Sequence, residues 1–368
     1  MISAFLAQGA AMKRFDIALI PGDGIGREVV PAGQKILDVA GEVHGGFRFR
    51  YKSHPWSCAY YLKHGRMMPD DGLKRIGDSD AIFLGAVGFP GVADHISLWG
   101  LLIPIRRGFQ QYACVRPVKL LPGVRSPLAG RGPEDIDFIV VRENNEGEYS
   151  NMGGRLHTGT PQEMVTQLNV FTRHGTERII RYAFELARKK RKKKVTSATK
   201  SNGINFSMPF WDEVFWDVAK KYPGIAADQM HIDALAARFV THPHNFGVVV
   251  GSNLFGDILT DLGAAIAGSI GIGASANLNP EKRYPSCFEP VHGSAPDIVG
   301  KGVANPLGQI WSGALMLEHL GYTAAHDVVL KAIVAVLNAG IKTPDLGGRA
   351  KTADVTQAVV KEIRRLAR

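Results

Sequence analysis

Two aspartates follow an apolar segment that is typical of a buried strand. Residues 248–250 are three valines, and the chain then passes two glycines to reach Asp257 and Asp261. Positions four apart lie on one face of a helix, so the two carboxylates could share a cation. Oxygen-only ligation suits Mg²⁺ or Mn²⁺, whereas zinc favours histidine and cysteine. Taken alone, the pair is interpreted equally well as two solvated aspartates.

Three arginines are offered by separate segments of the chain. They are Arg106, Arg116 and Arg142. A guanidinium binds a carboxylate through two parallel hydrogen bonds, so the set would suit the ends of a dicarboxylic acid. A single arginine is more often a surface or structural residue. Arg142 is the strongest single candidate for binding a carboxylate, because it directly follows a strand-like run at residues 138–141.

A lysine and an amide follow another strand-like run, at residues 195–198. They are Lys200 and Asn202. Partial removal from water lowers the pKa of a lysine, and such a lysine can act as a general base. A loop lysine is usually solvated, so this spacing by itself gives only a candidate base.

The segments between these residues predict an α/β fold, because short β-branched runs alternate with helical spacing. Open α/β sheets bind ligands where their strands end, which is where the candidate residues stand. A glycine-rich segment at residues 22–26 also follows a strand, but its G-x-G-x-G spacing differs from the dinucleotide G-x-G-x-x-G. A structural turn and a ligand loop therefore both remain open there. Strands are predicted at residues 17–20, 81–87, 138–141, 195–198 and 248–250, and helices at residues 28–40, 176–187, 209–220 and 307–320.

The composition is that of a folded protein with room for two lobes. The chain has 368 residues, of which 45% are hydrophobic and 21% charged, so neither a disordered nor a fibrous protein is indicated. The three cysteines lack metal-type spacing, and no apolar run approaches the roughly 20 residues of a membrane helix. Residues 1–11 lack the basic region of a signal peptide, which predicts a disordered tail and a cytoplasmic protein.

A run of basic residues at 188–194 contributes seven positive charges to a net charge of +10. Such a run can bind nucleic acid. It also follows a helix-like segment and precedes a strand-like one, and cations suit the C-terminus of a helix. We therefore favour a solvated helix end, and we predict neither a nucleic-acid partner nor a membrane partner.

Two further motifs are more specific. Residues 288–298 read Phe-Glu-Pro-Val-His-Gly-Ser-Ala-Pro-Asp-Ile, and residues 304–306 read Ala-Asn-Pro. With the segments above, the chain from about Phe15 to its C-terminal region closely resembles the β-decarboxylating dehydrogenases, the family of isocitrate, 3-isopropylmalate, D-malate and tartrate dehydrogenases. The resemblance implies a two-lobed, non-Rossmann α/β fold. Residues 1–111 and 268–368 would form the cofactor lobe, and residues 112–267 the lobe for substrate, metal and dimerisation.

The resemblance also implies an active site shared between two subunits. Asp257 and Asp261 of one subunit and Asp233 of the other would bind Mn²⁺ or Mg²⁺, with K⁺ as a further activator. Because Lys200 and Asn202 also correspond to residues that reach across the interface, a homodimer would be the smallest functional unit. Lys200, Tyr149 and Asp233 are the implied catalytic residues, and the implied substrate-binding residues are Trp99, Arg106, Arg116, Arg142 and Asn202.

The family resemblance places the nicotinamide cofactor against glycine-rich loops of one lobe. Asp297 would accept hydrogen bonds from the ribose hydroxyls and would repel a 2′-phosphate, so NAD is expected rather than NADP. The implied cofactor-binding residues are His292, Gly293, Ser294, Ala295, Asp297 and Asn305.

The segment upstream of Arg106 resembles the D-malate and tartrate branch of the family. A bulky Trp99 would fill the space that other branches leave for a larger group at C3, so a four-carbon diacid is expected. Tartrate is the first choice, and D-malate and 3-isopropylmalate are the alternatives. A different class of function is an inactive relative that binds nucleic acid through residues 188–194; the catalytic and metal residues would be expected to erode in such a protein, and all are present.

Overall fold

The structure, a computed structural model, describes residues 12–368 as an alternation of strands and helices. A π-helical turn, Leu98–Leu102, joins two of the short helices. The strands are β1 (Lys13–Gly22), β2 (Phe47–Ser53), β3 (Ala81–Ala86), β4 (Ala113–Lys119), β5 (Asp137–Glu143), β6 (Gly153–Leu156), β7 (Met164–Gln167), β8 (Lys194–Thr199), β9 (Ala226–His231), β10 (Val248–Gly251), β11 (Ala274–Leu278) and β12 (Ser286–Pro290). The helices are α1 (Gly26–His44), α2 (Cys58–His64), α3 (Gly72–Ile76), α4 (Asp94–Ser97), α5 (Ile103–Gly108), α6 (Arg173–Lys189), α7 (Ser207–Ala219), α8 (Ile232–Thr241), α9 (Asn253–Ile266), α10 (Leu307–His319), α11 (Thr323–Asn338) and α12 (Thr352–Leu366).

The chain divides into two compact units. The first contains the described residues up to Gln111, together with Lys119–Pro133 and Ala264–Arg368. The second contains Tyr112–Val118 and Glu134–Gly263. The segment Lys119–Pro133, which the sequence-based division put in the substrate lobe, lies in the first unit, where the Ser126 hydroxyl donates to the carbonyl of Ile266 at 2.6 Å. The cofactor and substrate roles of the two lobes remain predictions.

The first unit is built on five strands in the order β2-β1-β3-β12-β11. The strands β2, β1, β3 and β12 run parallel, and β11 is antiparallel to β12. Every residue of β3 is buried, as expected of a central strand covered on both faces. One face packs against α1, α10, α11 and α12, and Trp56, Met67 and Leu101 belong to the core on the other.

The second unit is built on five strands in the order β4-β5-β10-β8-β9. The strands β5, β10, β8 and β9 run parallel, so their carboxyl ends point the same way. Its core is rich in buried aromatic side chains, and the rings of Phe138 and Phe239 are centred 4.8 Å apart. A separate hairpin, β6 and β7, is exposed along its whole length.

All nine predicted elements are present as the predicted type. The main differences are at their ends; for example, α7 begins at Ser207, and Pro209 lies within its first turn. The basic run forms the end of α6 and the turn into β8. The predicted tail at residues 1–11 lies outside the described residues. Of the helices within residues 12–368, none combines the length and apolar character needed to cross a lipid bilayer.

Candidate active site

The two aspartates at positions 257 and 261 lie on α9, which begins two residues after β10 ends. In register, Gly251 at the end of β10 stands beside Arg142 on β5. A Cβ at Gly256 would lie 2.5 Å from that of Arg142, so only glycine lets the first turn of α9 approach the strand this closely. The local sequence thus brings Asp257 against Arg142.

Arg142 is the most buried charged side chain of this cluster, with 2% of it exposed. It pairs with Asp257, and its Nε and Nη2 donate to the side-chain oxygen of Asn253 at 3.0 and 2.6 Å. Its guanidinium also lies 5.3 Å from the ring centre of Tyr149. A buried guanidinium needs such partners, because an unpaired charge in the interior is strongly destabilising.

Arg116, in the middle of β4, reaches the same face of α9. Its Nη1 lies 3.7 Å from Asp257, 3.5 Å from Asp261 and 2.6 Å from the hydroxyl of Thr260. The Tyr149 hydroxyl donates to Asp257 at 2.7 Å. The second unit therefore brings together five of the predicted residues: Arg116, Arg142, Tyr149, Asp257 and Asp261.

This cluster tests whether the residues fit a divalent cation. Asp257 and Asp261 supply only oxygen, which suits a hard cation. Partial burial raises the pKa of Asp261, the neighbouring Asp257 adds to the rise, and Arg116 opposes it. A cation would relieve that repulsion. Within residues 12–368 no three histidine, cysteine, aspartate or glutamate side chains form a metal-binding group.

Lys200 and Asp233 form a second pair within the same unit. The ammonium lies 2.8 Å from the carboxylate, at the point where β8 ends and α8 begins. The hydrogen bond from Lys200 is the largest cause of the lowered pKa of Asp233. The Lys200 side chain is 29% exposed and that of Asp233 is 68% exposed. Asn202 lies in the exposed turn that follows.

In the first unit, the glycine-rich turn after β1 packs against the predicted cofactor segment. Gly24 has a φ of +53°, and a Cβ there would lie 2.0 Å from the carbonyl oxygen of Ser294. The backbone N–H of Ile25 donates to that same oxygen at 2.9 Å. Residues 22–26 thus contact residues 292–297, and Ala295 holds a φ of +42° that non-glycine residues rarely adopt.

The same segment offers groups suited to a nucleotide. Burial lowers the pKa of His292, which favours its neutral form. Among residues 12–368, no hydrogen-bond partner reaches its Nε2. A side chain at Gly293 would meet open space, and Asp297 is exposed in a 3₁₀ turn. An imidazole with one unpartnered nitrogen, beside an open backbone and an exposed carboxylate, fits the adenosine half of a dinucleotide.

Two predicted residues, Asn305 and Arg106, form hydrogen bonds with other residues of the first unit. Asn305 donates to Asp345 at 2.9 Å and accepts from the backbone of Leu307 at 3.0 Å, at the start of α10. Arg106 donates to Glu289 at 2.8 Å, and both side chains are more than nine-tenths buried. Their assignments to cofactor and substrate remain predictions. Trp99 is half-buried in the π-helical turn and lines a surface cleft.

Sequence reasoning missed three residues that hold this machinery in place. Asn253 lies one helical turn before Asp257, so the same four-residue spacing that paired Asp257 with Asp261 could have revealed it. Glu148 accepts from the Ser252 hydroxyl at 2.7 Å and from the Leu254 backbone at 3.0 Å, which anchors the start of α9 beside Tyr149. Glu289 lies in the motif at residues 288–298, and a charged residue within a buried strand is the signal that could have revealed it.

Comparison with known proteins shows which family the chain resembles. The family model for isocitrate/isopropylmalate dehydrogenase matches residues 16–359. The probable tartrate dehydrogenase/decarboxylase of Bacillus subtilis (strain 168) is 56% identical, covering 96% of this chain and 99% of the relative. The D-malate dehydrogenase [decarboxylating] of Escherichia coli (strain K12) is also 56% identical, covering 96% and 100%.

A solved structure shows the same fold. The isocitrate dehydrogenase of Methylococcus capsulatus superposes with a TM-score of 0.86 at 35% identity, and the match covers 95% of this chain and 99% of that one. The predicted two-lobed α/β fold is thereby confirmed, as is the prediction of an oxidoreductase. This chain belongs to the isocitrate/isopropylmalate dehydrogenase family.

Proposed function

We propose that this enzyme oxidises tartrate and D-malate at the C2 hydroxyl in an NAD- and divalent-metal-dependent reaction, followed by β-decarboxylation. The observation that carries the proposal is the cluster of Arg116, Arg142 and Tyr149 around Asp257 and Asp261. Relatives that are 56% identical carry the names probable tartrate dehydrogenase/decarboxylase and D-malate dehydrogenase [decarboxylating]. The near-complete coverage of both chains supports transfer of the reaction as a whole.

The charged residues have two proposed roles, with the arginines binding substrate carboxylate and the aspartates binding the metal. Arg116 and Arg142 supply the guanidiniums that bind substrate carboxylate, and Arg106 is the third proposed member of this set. Asp257 and Asp261, with Asp233, would hold Mn²⁺ or Mg²⁺. When bound, the divalent ion supplies Lewis acidity that makes the substrate hydroxyl easier to deprotonate.

Proton transfer falls to a lysine and a tyrosine. Lys200, as the neutral amine, takes the proton of the C2 hydroxyl, and its hydrogen bond to Asp233 holds the nitrogen in a fixed place. When bound, NAD would supply the acceptor for the hydride of C2. Loss of the β-carboxylate as CO₂ leaves a carbanion equivalent at C3, and the Tyr149 hydroxyl delivers the proton there. Tyr149 is held for this role by Asp257.

The choice of NAD rests on residues 292–297. Dehydrogenases of the family use NAD or NADP with a divalent metal. An anionic, exposed Asp297 would accept hydrogen bonds from ribose hydroxyls and repel a 2′-phosphate. The neutral His292, with its free Nε2, would face the same nucleotide.

A homodimer is part of the proposal. Asp257 and Asp261 of one subunit would be joined by Asp233, Lys200 and Asn202 of a second subunit. The exposed β6-β7 hairpin supports this arrangement, since it carries solvent-facing apolar side chains of the kind that interfaces bury. These side chains and their exposed fractions are Met152 (53%), Leu156 (54%), Met164 (48%), Val165 (66%) and Leu168 (51%).

The proposal is tested by following NADH and CO₂ separately with D-malate and the three tartrate stereoisomers at saturating Mn²⁺. NADH formation with these diacids, and CO₂ release with at least one, are the expected results. Faster turnover of 3-isopropylmalate than of either four-carbon diacid would overturn the substrate assignment. A lack of NADH with every diacid, together with salt-dependent binding of nucleic acid, would instead favour the inactive, nucleic-acid-binding alternative.

A further inference from the structure

The helix that carries Trp99 is interrupted by a π-helical turn. Helix α4, the turn Leu98–Leu102 and α5 run on without a break, and the backbone N–H of Ile103 donates to the carbonyl of Leu98, five residues back. Such a turn acts as one residue inserted into an α-helix, and it rotates everything that follows. Trp99 is the second residue of this turn, and the arginines of α5 follow the turn.

The insertion changes which arginine faces the indole. At about 100° per residue, positions seven apart on an α-helix align to within about 20°, whereas positions eight apart diverge by about 80°. Arg106 would therefore follow the face of Trp99 in an uninterrupted helix. With the π-turn, the position eight residues on takes that place, and the Arg107 guanidinium lies 5.1 Å from the centre of the Trp99 ring.

Because of the same rotation, Arg106 points away from Trp99 and contacts a different residue. Arg106 and the carboxylate of Glu289 form a buried pair, and the Asn277 side chain donates to the same oxygen at 2.6 Å. Two adjacent arginines thus have separate tasks. Arg106 pairs with Glu289, and the half-buried Arg107 lies over an aromatic ring.

Close packing holds the π-turn in place. A Cβ at Gly100 would lie 2.7 Å from the Cγ atom of Met67, so the turn approaches this core side chain as closely as a glycine allows. Trp99 also lines an open cleft in which the other wall residues include a charged arginine at position 66. One face of the indole has the Arg107 contact, and the ring borders solvent-accessible space.

We propose that Arg107 is a positioning residue for substrate choice: it holds the indole of Trp99 in the orientation that limits the space beside C3 of the substrate. The π-turn is the device that places Arg107, rather than Arg106, over the ring. This inference rests on the proposed function, in which Trp99 keeps that pocket short. A guanidinium over an indole face is a favourable contact, and its removal frees the ring to rotate.

The test is Arg107→Met, which keeps an unbranched side chain and removes the charge. The ratio of kcat/KM for D-malate to that for 3-isopropylmalate is expected to fall about three- to tenfold, through KM more than kcat. Arg107→Lys should restore part of the ratio. Arg66→Met is the matched control, because it removes a positive charge from the same cleft and should leave the ratio unchanged.

Coupling to Trp99 separates positioning from direct substrate contact. In a Trp99→Ala background, Arg107→Met should change the ratio no further. An unchanged ratio in the single variant, or an equal loss in both backgrounds, would overturn the inference. Acrylamide quenching of Trp99 fluorescence, obtained by subtracting the Trp99→Phe spectrum, should rise in folded Arg107→Met protein. This readout decides whether Arg107 orders the ring even if wild-type protein oxidises neither diacid, a result that would refute only the proposed function.

Discussion

Replacement of Asp257 by asparagine is the sharpest test of the candidate site. The side chain lies at the centre of the cluster, where it pairs with Arg142, accepts from Tyr149 at 2.7 Å and lies 3.7 Å from Arg116. Asparagine keeps the shape and one carbonyl oxygen but removes the charge. A hard divalent cation should therefore lose a charged ligand while the fold persists.

The magnitude follows from charge and exposure. At an effective dielectric constant of about 20 and a separation of about 4 Å, a carboxylate attracts a divalent ion by about 8 kcal/mol, twice the value for two unit charges. The Asp257 side chain is 34% exposed, so solvent screening reduces this figure. We expect a loss of about 3–4 kcal/mol in binding a divalent ion, or about 100- to 1000-fold in affinity. Stability should fall by only about 1–2 kcal/mol, because Arg142 keeps its bonds to Asn253.

The assay is a Mn²⁺ titration by calorimetry, combined with kcat/KM at each metal concentration. Asp228→Asn is a suitable control, since Asp228 lies in the same unit, pairs with Lys194 at 3.2 Å and has a similarly exposed side chain, at 35%. Turnover should nearly vanish in Asp257→Asn and persist in the control. Near-wild-type turnover with unchanged Mn²⁺ affinity would remove Asp257 from the metal site.

Three further predictions address the cofactor, the substrate pocket and pH. Asp297 should make kcat/KM for NAD exceed that for NADP, and an equal or better value for NADP would contradict its role. Trp99→Ala should weaken D-malate and tartrate modestly and shift the kcat/KM ratio toward a bulkier 3-substituted malate by roughly ten- to a few hundred-fold, corresponding to about 1–3 kcal/mol; a wild-type ratio in the folded variant would leave Trp99 as a packing residue. Burial raises the pKa of Glu143 to about 7, so the folded state holds a proton that the unfolded state releases at lower pH, and stability should decline as the pH rises from about 4.5 to 7. Glu143→Gln should flatten that decline in urea unfolding, and an identical pH profile would show that other groups cause it.

The strength of each sequence signal explains which elements were predicted. Buried central strands such as β3 and β10 are continuous apolar runs, and such runs can be recognised as strands from the sequence. Among the strands that were not predicted, β2 and β9 mix polar and apolar residues and are only partly buried, so they lack that run. The short π-turn at Leu98–Leu102 also has no sequence signature, since it depends on the fit of Gly100 against Met67.

The same distinction between local sequence and tertiary packing applies to the candidate site. The chain by itself determined which residues are competent for the chemistry, because carboxylate, guanidinium, ammonium and phenol groups have fixed charge and donor character, and because a four-residue spacing aligns Asp257 with Asp261. It could not determine their partners. Only the tertiary structure decided that Arg142 pairs with Asp257, that Arg106 turns to Glu289 and that Arg107 lies over Trp99. Those contacts depend on helix phase and on which strands lie side by side, and both are set by packing among residues far apart in the chain.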